Sequence, residues 1–180
     1  MKRSIFAAAF AGIALVAFPI ESRAQVSTVV KPFQFGVAAG AAVPMSDFSN
    51  FYSTGFNGTA ILGFSPALIP LGVRVDGAYN QFSGKSLASG TNAHIWSLTG
   101  NLVYSVPSTG VSPYLIGGVG LYNLGGSGGG SSENDFGFNL GGGVKLPLSG
   151  FDTFLEARYN QAQTSGTSTK FIPITFGIMF

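Results

Sequence analysis

After residue 24 the apolar residues of this 180-residue chain recur at every second position, and no stretch sustains the period of an amphipathic helix. Alternation of this kind predicts strands. Eight are expected, at about 33–43, 56–64, 71–82, 93–106, 111–123, 135–147, 151–163 and 170–180. Each has the roughly 9–11 residues that a tilted strand needs to cross a bilayer, or slightly more. The connections alternate in kind. Those at 65–70, 107–110 and 148–150 are short and rich in proline, serine and glycine, whereas 44–55, 83–92, 125–134 and 164–169 are mostly longer and more polar.

Parity sorts the two faces of each strand. In the first, Phe33, Phe35, Val37, Ala39, Ala41 and Val43 oppose Gln34, Gly36, Ala38, Gly40 and Ala42. In the fourth, Trp96, Leu98, Leu102 and Tyr104 oppose Ser97, Thr99, Asn101 and Ser105. In the sixth, Phe136, Phe138, Leu140, Val144 and Leu146 oppose Gly137, Asn139, Gly141, Gly143 and Lys145. The fifth is ambiguous between Tyr114, Ile116 and Tyr122 on one face and Leu115, Val119 and Leu121 on the other; the second set is assigned outward. Large apolar residues facing lipid and small or polar ones facing a lumen require a closed sheet, because each unpaired backbone group in hydrocarbon costs several kcal/mol. The expected fold is therefore all-β: a closed eight-stranded antiparallel up-and-down transmembrane β-barrel, with an interior just wide enough for side chains. Short turns belong on the periplasmic side and long loops outside, which places both termini in the periplasm. Phe33, Phe64, Trp96, Tyr104, Phe151 and Tyr159, near strand ends, suit the two interfacial girdles. A soluble lipocalin-like barrel is the rival fold, and it would reverse the faces.

Composition supports the membrane reading. Charged residues are 9% of the chain, against about 25% in an ordinary soluble domain. Mean hydropathy is +0.37, yet the only long unbroken apolar run is N-terminal. Lys2 and Arg3, the apolar stretch Ile5 to Phe18, the break at Pro19 and the small residues of Ser22-Arg23-Ala24 predict a signal peptide over 1–24 and a barrel domain over 25–180. Removing 1–24 takes three of nine basic and one of seven acidic residues, leaving six of each. The sequence pI near 9.0 thus belongs largely to the leader, and nothing points to a nucleic-acid partner. With no cysteine, disulfides, thiolate metal sites and lipoprotein acylation are excluded.

The final segment, Lys170 to Phe180, alternates through Ile172, Ile174, Phe176, Ile178 and Phe180 and stops on an aromatic. Together with the leader, the glycines Gly36 and Gly40, the strand from Pro113-Tyr114 through Gly117, Gly118 and Gly120, and the ending Thr175-Phe176-Gly177-Ile178-Met179-Phe180, it resembles the eight-stranded outer-membrane β-barrel family. That family includes the OmpA transmembrane domain, OmpX-like proteins and opacity-type surface antigens. The likeness covers essentially all of the mature chain. It implies location in the outer membrane of a two-membraned bacterium. It also implies that Phe176, Ile178 and Phe180 are read by the barrel-insertion machinery. It does not imply one activity, since the family is functionally mixed.

The best candidate constellation is a set of inward charges. Arg74 and Asp76 lie on the third strand, Glu156 and Arg158 on the seventh, directly across the lumen and at similar depth; Lys145 enters near the turn end of the sixth. On the lipid face a mid-bilayer Arg would cost about 2–4 kcal/mol, whereas inside these charges can neutralise one another. They form either an electrostatic plug or a gate whose pairs rearrange to pass small ions. His94, the only histidine, opens the fourth strand. Ser97, three residues on, falls on the opposite face, so a hydrolytic triad is not expected. Gly125 to Ser132 lacks the lysine and helix of a phosphate loop, and Glu133, Asn134 and Asp135 lack a calcium-loop spacing. Phe48, Phe51, Tyr52 and Phe56 in or beside the first long loop either meet the membrane or cap the barrel, or else offer a contact surface. No cofactor is expected. The readings in play are a monomeric, non-enzymatic barrel with a structural or surface role, a small-solute channel, and a lipid-modifying barrel enzyme. The partners are outer-membrane lipid and possible external molecules at loops 44–55, 83–92 and 125–134.

Overall fold

Eight antiparallel strands, each hydrogen-bonded to its sequence neighbours, form one sheet that closes on itself where the first strand meets the last. The computed structural model describes residues 32–66, 69–85, 90–108, 110–126, 133–164 and 167–180; the expected signal peptide at 1–24 lies outside the described residues. The strands are β1 (Phe33–Met45), β2 (Gly55–Phe64), β3 (Leu71–Ser83), β4 (Asn92–Ser105), β5 (Ser112–Gly126), β6 (Glu133–Leu148), β7 (Phe151–Thr164) and β8 (Thr167–Met179), with one helical turn, α1 (Phe48–Phe51), between β1 and β2. The strands begin and end close to where alternation predicts. They run further at the loop end, because the hairpin ladders continue past the apolar band: Ala93 pairs with Gly126 and Leu124 with Glu133.

The faces are those of a membrane barrel. Phe35, Leu62, Val73, Leu98, Leu115, Leu121, Phe136, Leu140, Leu155 and Phe176 are exposed on the outer wall, while Asn57, Arg74, Asp76, Thr99, Asn101, Asn139, Glu156 and Thr175 are buried in the lumen. A lipocalin has the opposite arrangement. In β5 the outward set is Leu115, Val119 and Leu121, and Tyr114, Ile116 and Tyr122 turn inward. Three inward rings are accommodated by bare backbone on a neighbouring strand. A Cβ on Gly143 would meet Tyr114 at 2.7 Å, one on Gly137 would meet Tyr122 at 2.7 Å, and one on Gly177 would strike the ring of Phe154.

The β1–β8 seam is antiparallel from Gly36↔Met179 to Met45↔Lys170. Phe180 extends it: its N–H donates to Phe35 O at 2.8 Å, and Phe35 N–H donates to Phe180 O at 3.2 Å. The Phe180 ring stacks on Phe35 at 5.3 Å and approaches Phe151 at 6.1 Å, so three strands share one aromatic cluster at the turn end. Phe33 and Phe64 add a pair at 4.8 Å there. Tyr104, opposite Leu71, lies at the same end. At the loop end the ladder Phe56–Tyr79–Trp96 (5.9 and 4.6 Å) and the pair Phe138–Tyr159 (6.3 Å) form the second girdle.

Gly40 shows how tight the seam is. A Cβ there would collide with Ile174 O and lie 2.7 Å from Thr175 Cα, whereas one on the outward Gly77 meets nothing within 4 Å. Gly40→Val is expected to cost about 2–3 kcal/mol, the upper part of the overpacking range, and Gly77→Ala less than about 0.5 kcal/mol. Urea midpoints in detergent, followed by heat-modifiable gel mobility, check the contrast; equal losses at both positions would contradict the seam geometry.

Candidate functional site in the barrel lumen

Period-two alternation aims residues 74 and 76 of β3 and 154, 156 and 158 of β7 into the lumen, and these strands face each other across an eight-stranded barrel. The four expected charges meet there. Arg74 donates through Nη2 to Glu156 at 2.9 Å and through Nε and Nη2 to Asp76 Oδ2 at 3.1 and 3.0 Å. Arg158 donates through Nη1 to Asp76 Oδ2 at 2.7 Å and through Nε and Nη2 to Glu156 Oε1, the Nε bond at 3.1 Å. Each arginine thus bridges both carboxylates, and each carboxylate is shared by both arginines. Exposures of 5, 1, 4 and 8% for Arg74, Asp76, Glu156 and Arg158 put the whole quartet out of water. Its formal charge is zero, which makes burial tolerable: two isolated cations in this space would each carry a desolvation penalty of several kcal/mol.

Neutral side chains complete the network. Tyr114 Oη donates to Glu156 Oε2 at 2.8 Å, and Asn101 Nδ2 to Asp76 Oδ2 at 3.1 Å. Asn139 Nδ2 donates to Asn101 Oδ1 at 2.8 Å, and Tyr122 Oη to Asn160 Oδ1 at 2.9 Å. Asn57 Nδ2 donates to Asn80 Oδ1 at 2.7 Å. A cavity of about 30 Å³ bordered by Asn57, Asp76, Asn80, Thr99, Glu156 and Asn160 has room for one or two waters.

Apolar layers bound the polar one on both sides. Towards the turns lie Ala38, Ile61, Tyr114, Ile116, Phe154 and Met179, with Val103 against them; the Arg74 guanidinium sits 5.8 Å over the Phe154 ring. Towards the loops lie Ala42, Phe82, Ala93, Ile95, Tyr122, Ala162 and Phe171. Phe48 of α1 and Tyr52 close this layer from above, Phe48 edge-on to Phe82 at 5.0 Å. Lys85 fastens the strap, donating from Nζ to Ser49 O at 3.1 Å and from its backbone N to Phe51 O at 2.7 Å. Of the four loop aromatics, Phe48 and Tyr52 therefore cap the barrel, and Phe51 and Phe56 are exposed.

One member of the expected cluster lies inward near the turn end, as its position predicts, but outside the quartet. Lys145 faces inward but stands opposite Phe154, below the quartet, and its ion pair is with Asp152 at 4.0 Å, where Gln34 Nε2 also donates at 3.3 Å. The rings of Phe154 and Tyr114 belong to the apolar layer between the two groups. Asp152 was legible from the same parity that selects Glu156 and Arg158, two and three inward positions further along β7. Tyr114 and the asparagines were legible as inward residues, but not as partners, since that depends on strand stagger.

The other candidates stay apart. His94 points outward beside Trp96, its ring over Gly125, while Ser97 points inward and Asp76 and Glu156 are in the quartet, so no triad forms. Asn134 pairs with Asn123 at 2.9 Å and Asp135 is buried inside. Among the described residues no group of three or more His, Asp or Glu is placed to hold a metal. Most of the glycine-rich stretch, 127–132, and residues 86–89 of the second loop lie outside the described residues.

The sequence matches the outer membrane protein beta-barrel domain family over residues 6–180. The chain belongs to that family. It is an outer-membrane β-barrel protein, so the turn end is the periplasmic end and the loop end the external one. Among solved structures it is similar to Neisserial surface protein A (TM-score 0.67, 20% identity, 83% of this chain and 96% of that one). It is also similar to the attachment invasion locus protein Ail of Yersinia pestis (0.50, 17%, 82% and 97%) and to the outer membrane enzyme PagL (0.51, 17%, 82% and 98%). At these identities the likeness is one of fold. No sequence among the curated proteins matches.

Glu156 is the acceptor on which both arginines and Tyr114 converge. Glu156→Gln is expected to lower stability by about 3 kcal/mol, the cost of breaking a buried pair while leaving its partner charged. Thermal or urea unfolding in detergent checks this; a variant that melts like the parent would contradict a structural role for the quartet.

Proposed function

We propose that this barrel is a monomeric, non-enzymatic outer-membrane protein that acts through its walls and external loops, with a lumen that is plugged. The observation that carries the reading is the layering: a neutral quartet, in which each arginine bridges both carboxylates, between two apolar layers, the outer one capped by Phe48 and Tyr52. An ion crossing this lumen would have to shed its hydration at each apolar layer and separate buried, mutually neutralising pairs. The separation of His94 from Ser97 and from the buried carboxylates favours a non-catalytic role. Phe176, Ile178 and Phe180 present the outward edge of the closing strand to the insertion machinery, and loops 44–55, 83–92 and 125–134 offer the surface for an external partner.

Planar-bilayer recording tests the plug. The folded protein is expected to give no stable conductance steps. A sustained pore of porin size would overturn the plugged reading in favour of a small-solute channel. Comparison of lipid A acylation in cells with and without the protein addresses the enzymatic alternative; an altered acyl pattern that His94→Ala abolishes would overturn the non-enzymatic reading.

A further inference from the structure

The tripeptide Tyr-Asn-Gln occurs twice, at Tyr79-Asn80-Gln81 and Tyr159-Asn160-Gln161, on the strands that face each other across the barrel. In both copies the Asn is buried in the lumen and the other two residues face outward. In both the tyrosine hydroxyl donates to the glutamine Oε1, at 3.0 Å in the first and 2.8 Å in the second. In both a basic residue stands directly opposite the glutamine on the next strand: His94 opposite Gln81, Lys170 opposite Gln161. The height is also shared. Gln81 is ten residues from the outward Leu71, His94 ten from Tyr104, Gln161 ten from Phe151 and Lys170 ten from Phe180. Ten residues rise about 33 Å along a strand, or about 25 Å along the axis of a barrel tilted near 40°, which is the height of the apolar band. These side chains therefore sit where acyl chains give way to head groups.

The two copies differ in one respect. The His94 ring is turned onto Gly125, away from Gln81: a Cβ on Gly125 would clash with Nε2 and lie 3.0 Å from Cδ2. Lys170 is half-buried, and its ammonium makes no hydrogen bond or ion pair with the described residues. At Gln161 the carbonyl is occupied by Tyr159, so what faces the head-group layer is a pair of amide N–H donors beside a free ammonium. Directly opposed residues on antiparallel strands have Cβ atoms about 5 Å apart, close enough for both to reach one phosphate.

We infer that Lys170 and Gln161, with Gln161 oriented by Tyr159, form an outward-facing binding site for the phosphate of a lipid head group at the external rim of the barrel. A phosphate there accepts charge-assisted bonds from Lys170 Nζ and the Gln161 amide, while its acyl chains lie along the wall below Tyr159 and Phe138. The Tyr79–Gln81 copy has the same scaffold without a cation turned to it and does not form the site. This inference rests on the membrane location and is independent of whether the lumen conducts.

The test is native mass spectrometry of the full-length folded protein in neutral detergent, titrated with phosphatidic acid, with diacylglycerol of the same chains and with inorganic phosphate. Wild type is expected to bind one phosphatidic acid in preference to diacylglycerol. Lys170→Met should weaken that binding about fivefold, the worth of one basic residue at an anionic lipid surface. Lys170→Arg should retain it, Gln161→Leu should weaken it, and His94→Ala should leave it unchanged. Heat-modifiable mobility verifies that each variant is folded. Equal affinity of wild type and folded Lys170→Met would overturn the site. So would equal binding of diacylglycerol, or saturation by inorganic phosphate at the concentrations where the lipid binds, which would make it a site for the free anion.

Discussion

A chain that crosses hydrocarbon as strands has one obligation that outranks the rest: every N–H and C=O at membrane depth must find its partner within the chain. Here the ladder runs through all eight strands and returns from β8 to β1 without an open edge. Closure fixes the diameter, and the diameter fixes the character of the lumen. With eight strands there is space for side chains but not for a solvent column. The bare backbones of Gly137, Gly143 and Gly177 exist because Tyr122, Tyr114 and Phe154 need that space.

Within so narrow a tube, charge can be buried only in balance. Arg74, Asp76, Glu156 and Arg158 achieve this by mutual sharing rather than as two independent pairs, and Tyr114 and Asn101 add neutral donors to Glu156 Oε2 and Asp76 Oδ2. The apolar layers above and below separate those bonds from bulk solvent, and a bond in such a low-dielectric setting is electrostatically stronger than the same bond in water. The quartet thus ties β3 to β7 across the diameter, a direction in which the backbone ladder supplies no link at all.

Much of this was legible in the sequence. The faces of most strands and the inward direction of the quartet follow from parity, because a slip of one residue would expose every polar side chain of a strand to lipid; β5, apolar on both faces, is where parity decides least. The meeting of β3 with β7 at one depth follows from counting residues from Leu71 and Phe151. What parity cannot supply is stagger. Lys145 is inward, as expected, but the register sets it opposite Phe154 and gives it to Asp152. The ends of the external hairpins were also hidden, since beyond the apolar band no lipid enforces alternation. The α1 strap has no helical signal of its own. It rests on the left-handed Ser46 (φ 53°), on Lys85 and on Phe48 docking against Phe82, all set by tertiary contact.

The seam has a kinetic corollary. β1 and β8 are the strand partners most distant along the chain, and contacts of long sequence separation are the slowest to be rewarded during folding. Until Phe180 reaches Phe35 and Phe151, the nascent sheet exposes two ribbons of unsatisfied amides in a medium that offers them nothing. Membrane insertion and cylinder formation are therefore coupled events for this chain, with the terminal aromatic cluster acting as the clasp that ends the vulnerable interval.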